Sequence, residues 1–533
     1  MKAYMLVLFL AGGAAAQTVP SPLPAIRQNG AVKQMMVDGK PFLMLAGELH
    51  NSSASSVEYM KPVWKKLQAM HLNTVIGTAS WELVEPEEGR FDFALVDDQI
   101  RQARAHGMRL VLIWFGTWKN ANASYTPLWV KRVYRRFPRA QSKDGVPREE
   151  LSALGEQSLA ADSRAFRALM RHIRAVDPQH TVILMQVENE TGKLGDSRDR
   201  SPLAEAAWNR PVPAELMRYL AENKNRLLPE LAEVWGANGF KTAGTWPEVF
   251  GTDAHADEVF MAWYVGRYVG KVAEAGKAEL PIPMYANAWL VQSDTQLPGA
   301  YPSGGPVSRM HDIWRAAAPQ LDLLAPDIYL ADFRGICASY TRSGNALFIP
   351  EARASVPNLF WAIGSHAALG YSPFGIESLP EDAPLAAAYQ LLGGMIPLIT
   401  EYQPQGKVAA AMQESADERS QAISLGGYRL SFTFGSRGRG PAAPAAANPG
   451  FALAVQTAPD EFVVAGENFS LTAAPETPGP RMAGFGSIDE GRYEHGTWIP
   501  GRRLNGDESA GGSRASIQGA GLGVLKIRLY RYE

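Results

Sequence analysis

Short apolar segments rich in Val, Ile, Leu and aromatic residues, each followed by a stretch of helical period, recur eight times along the chain. This rhythm constrains the fold more than any other feature. The predicted strands are Leu43–Leu49, Thr74–Trp81, Arg109–Trp118, Thr181–Glu190, Pro283–Trp289, Leu323–Leu330, Ala346–Glu351 and Ala368–Ile376. Between them, apolar residues return every three or four positions. Phe166, Leu169, Met170, Ile173 and Val176 do so after the capping-type Asp162, and Val96, Ile100 and Ala103 do so before Gly107. Parallel neighbours need a crossover helix and eight strands can close a sheet on itself, so the expected fold is α/β, a (β/α)8 TIM barrel. The competing doubly wound open sheet calls for a Gly-rich turn after an early strand, and no G-x-G-x-x-G stands there.

The stretch from about Thr191 to Leu280 is too long for a plain link and is expected to form helices of its own that wall the barrel mouth. Ala386–Leu398 suits the closing helix. Beyond it, Tyr428–Phe434 and Leu525–Leu529 alternate with the two-residue period of half-buried strands, and a Gly, Pro and Ala rich run from Gly435 to Gly450 reads as a loop. The barrel is therefore expected over 17–400 and a smaller antiparallel β domain over 401–533, with covering the barrel as its simplest role and carbohydrate binding as the alternative. Met1–Ala16 combines a basic start, an apolar run from Ala3 to Leu10 and the small residues Ala14–Ala16. It reads as a secretory signal peptide, which implies a secreted or periplasmic protein. No later apolar run is long enough to span a bilayer. Cys337 is the only cysteine and reads as a small buried hydrophobe.

Lys plus Arg number 52 against 54 Asp plus Glu, a formal net charge of −2, which gives no electrostatic ground for a nucleic-acid partner. A neutral ligand fits better. In a barrel of this kind the chemistry sits at the C-terminal strand ends. There the sequence puts Glu48 and His50 on strand one, Trp81 on strand two, Asn120 after strand three, and Asn189 and Glu190 on strand four. Asn287 and Trp289 follow on strand five, Tyr329 after strand six and Glu351 on strand seven. Amides and acids bind hydroxyls and indole faces meet sugar C–H surfaces, so the lining suits an oligosaccharide.

Glu190 and Glu351 are expected on opposite walls of one mouth. Acetal hydrolysis needs such a pair, one acid to protonate the leaving oxygen and one carboxylate to face an oxocarbenium-like carbon. Arg353, two residues beyond Glu351, would share its face if the strand continues and would then lower its pKa by charge attraction. Strict alternation sets Asn189 and Glu190 on opposite faces, so both reach one sugar only if the strand bends or bulges at its end.

Several motifs add a family resemblance: Gly47-Glu-Leu-His50, the run from Trp64 to Val75, Trp81 followed by Glu85-Pro-Glu-Glu-Gly-Arg-Phe-Asp-Phe93, Gln186-Val-Glu-Asn-Glu190, and Phe348-Ile-Pro-Glu351. Over about residues 30–400 the chain resembles the clan A glycoside hydrolases, and most closely the family 35 β-galactosidases. The resemblance implies that Glu190 is the general acid/base and Glu351 the nucleophile of a retaining enzyme. It further implies that Asn189 hydrogen-bonds the 2-hydroxyl and that Tyr329 donates to Glu351. Asn51-Ser-Ser and Trp118-Lys-Asn120 stand where larger members carry an aromatic residue and a Gly-Gly-rich turn.

The 9 histidines form no H-x-H or H-E-x-x-H pair, and neither G-x-x-x-x-G-K-[ST] nor G-x-S-x-G occurs, so no metal and no cofactor are expected. The expected function is a retaining exo-β-galactosidase acting on terminal galactosyl residues of plant-type oligosaccharides such as xyloglucan fragments. The rivals are another clan A activity (β-glucosidase, arabinosidase or endo-glycanase) and a catalytically silent sugar-binding barrel.

Overall fold

The computed structural model describes residues 22–435, 449–519 and 521–533. The signal-peptide stretch Met1–Ala16 and most of the Gly435–Gly450 run lie outside the described residues. Eight parallel strands close into a barrel in chain order. They are β1 (Met44–Glu48), β2 (Thr74–Ser80), β3 (Arg109–Lys119), β4 (Val182–Asn189), β5 (Met284–Trp289), β6 (Leu323–Ile328), β7 (Ile349–Ala352) and β8 (Gly370–Pro373). These are the eight strands expected from the sequence, and the chain is a TIM barrel followed by antiparallel β sheets. Helices cover the outside of the strands and side chains fill the inside, so β2, β4 and β6 are buried throughout and read as nearly unbroken apolar runs.

Inside the barrel, Met44, Ala46, Ile76, Val111, Ile113, Ile183, Tyr285, Leu323, Ala325 and Phe348 form one apolar cluster, which Met35 and Val37 join. The last two come from a small antiparallel sheet (Ala25–Asn29, Val32–Val37, Lys40–Phe42) that leads directly into the start of β1 and so stoppers the N-terminal end of the barrel. Sequence reasoning assigned no strand there. The helix after β3 begins at Glu156, so Asp162 lies within it and is buried rather than capping it. The long stretch after β4 folds as four short helices (Pro202–Trp208, Ala214–Asn223, Pro229–Gly236, Trp246–Phe250) before the crossover helix Ala254–Lys277.

The closing helix runs Pro384–Tyr402, and the chain then builds a six-stranded and a four-stranded antiparallel sheet. Tyr428–Phe434 and Gly523–Tyr532 are strands, as their alternation predicts. Tyr428, Phe432, Phe462, Phe469, Ile527 and Leu529 form a core between the two sheets. The other face of the six-stranded sheet packs on the barrel, with Phe360 of helix Val356–His366 meeting Phe451 edge-on at a centroid separation of 4.9 Å. Leu453, Val455, Val463 and Ala465 thereby join the main barrel core.

The closure seam between β8 and β1 is tight. Gly370 pairs with Met44, and a Cβ at Gly370 would lie 2.5 Å from the Met44 Cβ and 2.7 Å from its carbonyl oxygen. Gly370→Ala is therefore expected to cost about 1–3 kcal/mol, as overpacking of a filled core does. A thermal melt matching the parent protein's would show that this seam has slack.

Candidate active site

The C-terminal ends of β3 and β4 leave regular pairing. Trp114 pairs with Val187 and Lys119 with Asn189, so four residues of β3 bulge opposite the single residue Glu188. Glu188 (φ 63°) and Glu190 (φ 44°) both adopt left-handed backbone. That conformation costs a non-glycine residue roughly 1–2 kcal/mol, so it must be held by contacts. The Trp118 N–H donates to Glu188 Oε2 at 2.7 Å, the Glu190 N–H donates to Asn287 Oδ1 at 3.0 Å, and the Ala121 N–H donates to the Glu190 carbonyl at 3.0 Å. Two left-handed residues flanking Asn189 bend the end of β4 out of strict alternation, as the sequence reading required, while the extra residues of the bulge lie on β3. Asn189 is fully buried, and neither amide atom has a hydrogen-bond partner among the described residues. A buried amide of that kind is suited to receive hydroxyls.

Around this turn the barrel gathers acids. Glu48 of β1, Glu190 after β4, Asp327 of β6 and Glu351 of β7 act on one another electrostatically. Burial, and then the charge of Glu351, push Glu190 up to about 7. Burial and Glu351 also raise Glu48 and Asp327 well above the usual carboxyl range, and Asp327 shares a hydrogen bond with Glu190. Lys119, only 8% exposed, is the cation that offsets Glu48 and Glu190. Asn287 ties the group together, accepting from the Glu190 backbone and donating to Asp327 Oδ2 at 2.6 Å. Tyr329 donates its hydroxyl to Glu351 Oε1 at 2.6 Å. Burial, followed by Glu351, keeps that phenol protonated. Arg353 does not share the face of Glu351: the strand ends at Ala352, and Arg353 turns instead to donate to the Tyr329 carbonyl at 3.3 Å and cover its ring.

The remaining expected site residues separate into rim and scaffold. His50 is half-exposed at the rim, its backbone N–H donating to Glu377 Oε1 at 3.0 Å and its Nδ1 lying 3.2 Å from the same oxygen. Gly375 (φ 65°) lets the chain pass the imidazole, since a Cβ there would lie 2.5 Å from His50 Cε1. Asn120 sits in a left-handed turn (φ 51°) and Trp289 is half-buried at the end of β5, beside Asp327 in the ladder.

Trp81 does not line the mouth. It has no exposed surface, and its indole N–H donates to Glu85 Oε2 at 2.9 Å. Glu85 also receives the Gly89 N–H at 2.7 Å and Arg164 at 3.0 Å, so the Trp81 to Gly89 motif is a buried clamp for the loop after β2. A strand-end position in the sequence does not reveal whether the chain has already turned into a helix, as it does at Trp81.

Sequence reasoning left Asp327, Lys119 and Glu377 out of the site. The first two stand at the strand ends that were read for polar residues. Glu377 follows β8, the one strand end not read in that way; it is buried and also accepts the Ser53 hydroxyl at 2.5 Å. Among the described residues, no group of three His, Cys, Asp or Glu is arranged to hold a metal.

Comparison with known proteins places the chain near enzymes that act on sugars. Residues 53–250 match the family model for the glycoside hydrolase family 42 β-galactosidases, not the family 35 that the motifs resemble, and residues 385–516 match a domain of unknown function, DUF5597. A β-galactosidase of Xanthomonas manihotis is 32% identical over 199 residues, 36% of this chain and 30% of that protein. The chain thus spans under a third of that relative's length. Among solved structures, a catalytic mutant of Gan42B, a family 42 β-galactosidase from G. stearothermophilus, superposes with a TM-score of 0.52 at 12% identity, covering 91% of this chain and 98% of that one. A β-galactosidase from Bacillus circulans sp. alkalophilus has a TM-score of 0.47 at 14% identity over 67% of this chain and 57% of its own. At these identities the structural likeness supports the fold, a barrel followed by β sheets, and the sequence match makes the barrel similar to clan A β-galactosidases.

Proposed function

We propose that the chain is a retaining β-galactosidase of clan A that removes terminal galactosyl residues from oligosaccharides. The observation that carries this reading is the different treatment of two acids in one cluster. Glu190 is held near 7 by burial and by Glu351, while Glu351 accepts a hydrogen bond from Tyr329. A carboxyl that keeps its proton near neutrality serves as the general acid, and a carboxylate fixed by a phenol serves as the nucleophile.

In the first step Glu351 attacks the anomeric carbon as Glu190 gives its proton to the leaving oxygen. In the second, Glu190 takes a proton from water, which attacks the same carbon and releases Glu351. The unpartnered amide of Asn189 is placed to bind the hydroxyl beside the reacting carbon, and the raised acid Glu48 is a neutral donor for another hydroxyl. Galactose is favoured over other sugars by the family match, and the N-terminal segment favours action outside the cytoplasm on exported or imported glycans, of which xyloglucan fragments are one source.

Glu351→Gly is expected to lower turnover roughly 10³-fold or more while sugar affinity persists, whereas a sugar-binding barrel would show no turnover to lose. Glu190→Ala should still react with a nitrophenyl galactoside, and azide should rescue it as the β-galactosyl azide. The first sugar released by the parent protein should be the β anomer by NMR; an α product would exclude the double displacement.

The raised Glu190 predicts a pH effect with a definite sign. Its proton is lost as pH rises through about 7, so kcat/KM should fall along that limb. The folded state binds this proton more tightly than the unfolded chain does, so stability also decreases as pH rises from the ordinary carboxyl range to about 7. A rate that stays flat to about pH 9 would remove Glu190 from the acid's role. Rates on nitrophenyl β-galactoside, β-glucoside and α-arabinoside then assign the sugar.

A further inference from the structure

A second pair of acids lies behind the reacting ones and takes no part in the chemistry above. Glu188 and Asp162 are both fully buried. The point where a side chain on Gly116 would begin lies 2.5 Å from Glu188 Oε1 and 2.9 Å from Asp162 Oδ1, so the two carboxyl groups meet over that glycine. Asp162 Oδ1 accepts the Trp114 indole N–H at 2.8 Å, and Asp162 Oδ2 accepts the Thr117 hydroxyl at 2.7 Å and the Tyr268 hydroxyl at 3.3 Å. Glu188 Oε2 accepts the Trp118 N–H at 2.7 Å.

From this arrangement we infer that Glu188 is a positioning residue held as a neutral carboxylic acid, donating from Oε1 to the Asp162 carboxylate and thereby fixing the left-handed turn that presents Asn189 and Glu190.

Two carboxylates in contact inside a protein do not both ionise. The donors decide which one keeps the proton. Each Asp162 oxygen already receives an N–H or O–H, so a proton on Asp162 would face a donor, whereas Oε1 of Glu188, on the side of Asp162, has no hydrogen-bond donor placed on it among the described residues. Burial raises both groups, but the hydrogen bonds from Glu188, Thr117, Trp114 and Tyr268 draw Asp162 back down, while the charge of Asp162 raises Glu188 further. Tyr268 is kept protonated by burial and by the same two acids, so it remains a donor. The pair joins helix Glu156–Val176 to β3 and β4 at the residue whose backbone is left-handed. It is thus placed to offset the cost of a turn on which the acid/base residue depends.

The role in catalysis rests on the reading of Glu190 given above; the protonation claim does not. Glutamine reproduces a neutral Glu188, with its carbonyl taking the Trp118 N–H and its amide donating to Asp162. Glu188→Gln should therefore keep kcat and KM within about threefold of the parent, whereas Glu188→Leu should lower kcat roughly 10²-fold at nearly constant KM, as misplacing a catalytic group does. Asp162→Asn puts an amide donor against one of the existing donors and should be the more damaging of the two isosteric changes, in melting temperature and in kcat.

The infrared difference spectrum of parent minus Glu188→Gln at neutral pH should contain the carbonyl stretch of a protonated acid. Loss of activity in Glu188→Gln equal to that in Glu188→Leu, or a difference spectrum without that band, would overturn the proposal. Should Glu188→Leu not fold, Asp162→Asn melting as well as Glu188→Gln would overturn it equally. If the parent hydrolyses no glycoside, the function fails while the infrared and melting comparisons still decide the proton.

Discussion

Like charges gathered at one end of a closed barrel are the constraint on which this structure depends. β1, β4, β6 and β7 each deliver a carboxyl group to the same buried region, and Lys119 is the cation that offsets two of them. Such a set cannot be fully ionised at neutral pH, because each added negative charge raises the pKa of its neighbours. The cluster therefore sorts into groups that keep their protons and groups that lose them. Burial is the largest cause of that sorting, raising Glu48, Glu190 and Asp327 together. The proposed roles of Glu190 as acid and Glu351 as nucleophile rest on the burial that raises Glu190 and on the Tyr329 hydrogen bond to Glu351.

Holding the cluster together takes a scaffold that is itself polar. The Trp81–Glu85 clamp fixes the loop after β2. Lys193, buried and paired with Glu150, exchanges backbone hydrogen bonds with Ser303 and anchors the loop after β4. Further along the same loop, Arg198 and Arg200 share Asp257 of the crossover helix. Buried ion pairs of this kind do not add much stability, because desolvation offsets the attraction, but removing one partner leaves a buried charge unpaired and is costly. They fix loop positions more than they stabilise the fold. The antiparallel sheets do the opposite work. Their apolar face is continuous with the barrel core through Phe360 and Phe451, and they cover helices that would otherwise expose it.

Much of the barrel was legible in the chain. The eight strands appear where apolar runs alternate with helical period, because a parallel sheet buried on both faces leaves that record in composition alone. The strand-end rule singled out Glu48, Asn189, Glu190, Asn287, Tyr329 and Glu351, which the fold brings together at the barrel mouth. Trp81 fails the rule because its helix begins at that residue, and the N-terminal stopper around Met35 and Val37 was missed because its strands are short and only half-buried. Arg353 was placed on the face of Glu351 by extending a strand that stops at Ala352.

The sequence by itself determined the order of the strands and which residues stand at their ends, since hydrophobic period and chain direction are local properties. Only the tertiary structure decided how those residues divide the work. The left-handed turns at Glu188 and Glu190, the proton shared with Asp162 and the raised pKa of Glu190 all arise from groups far apart in the chain. Electrostatic coupling and desolvation depend on distances in space, and no local pattern of residues encodes them.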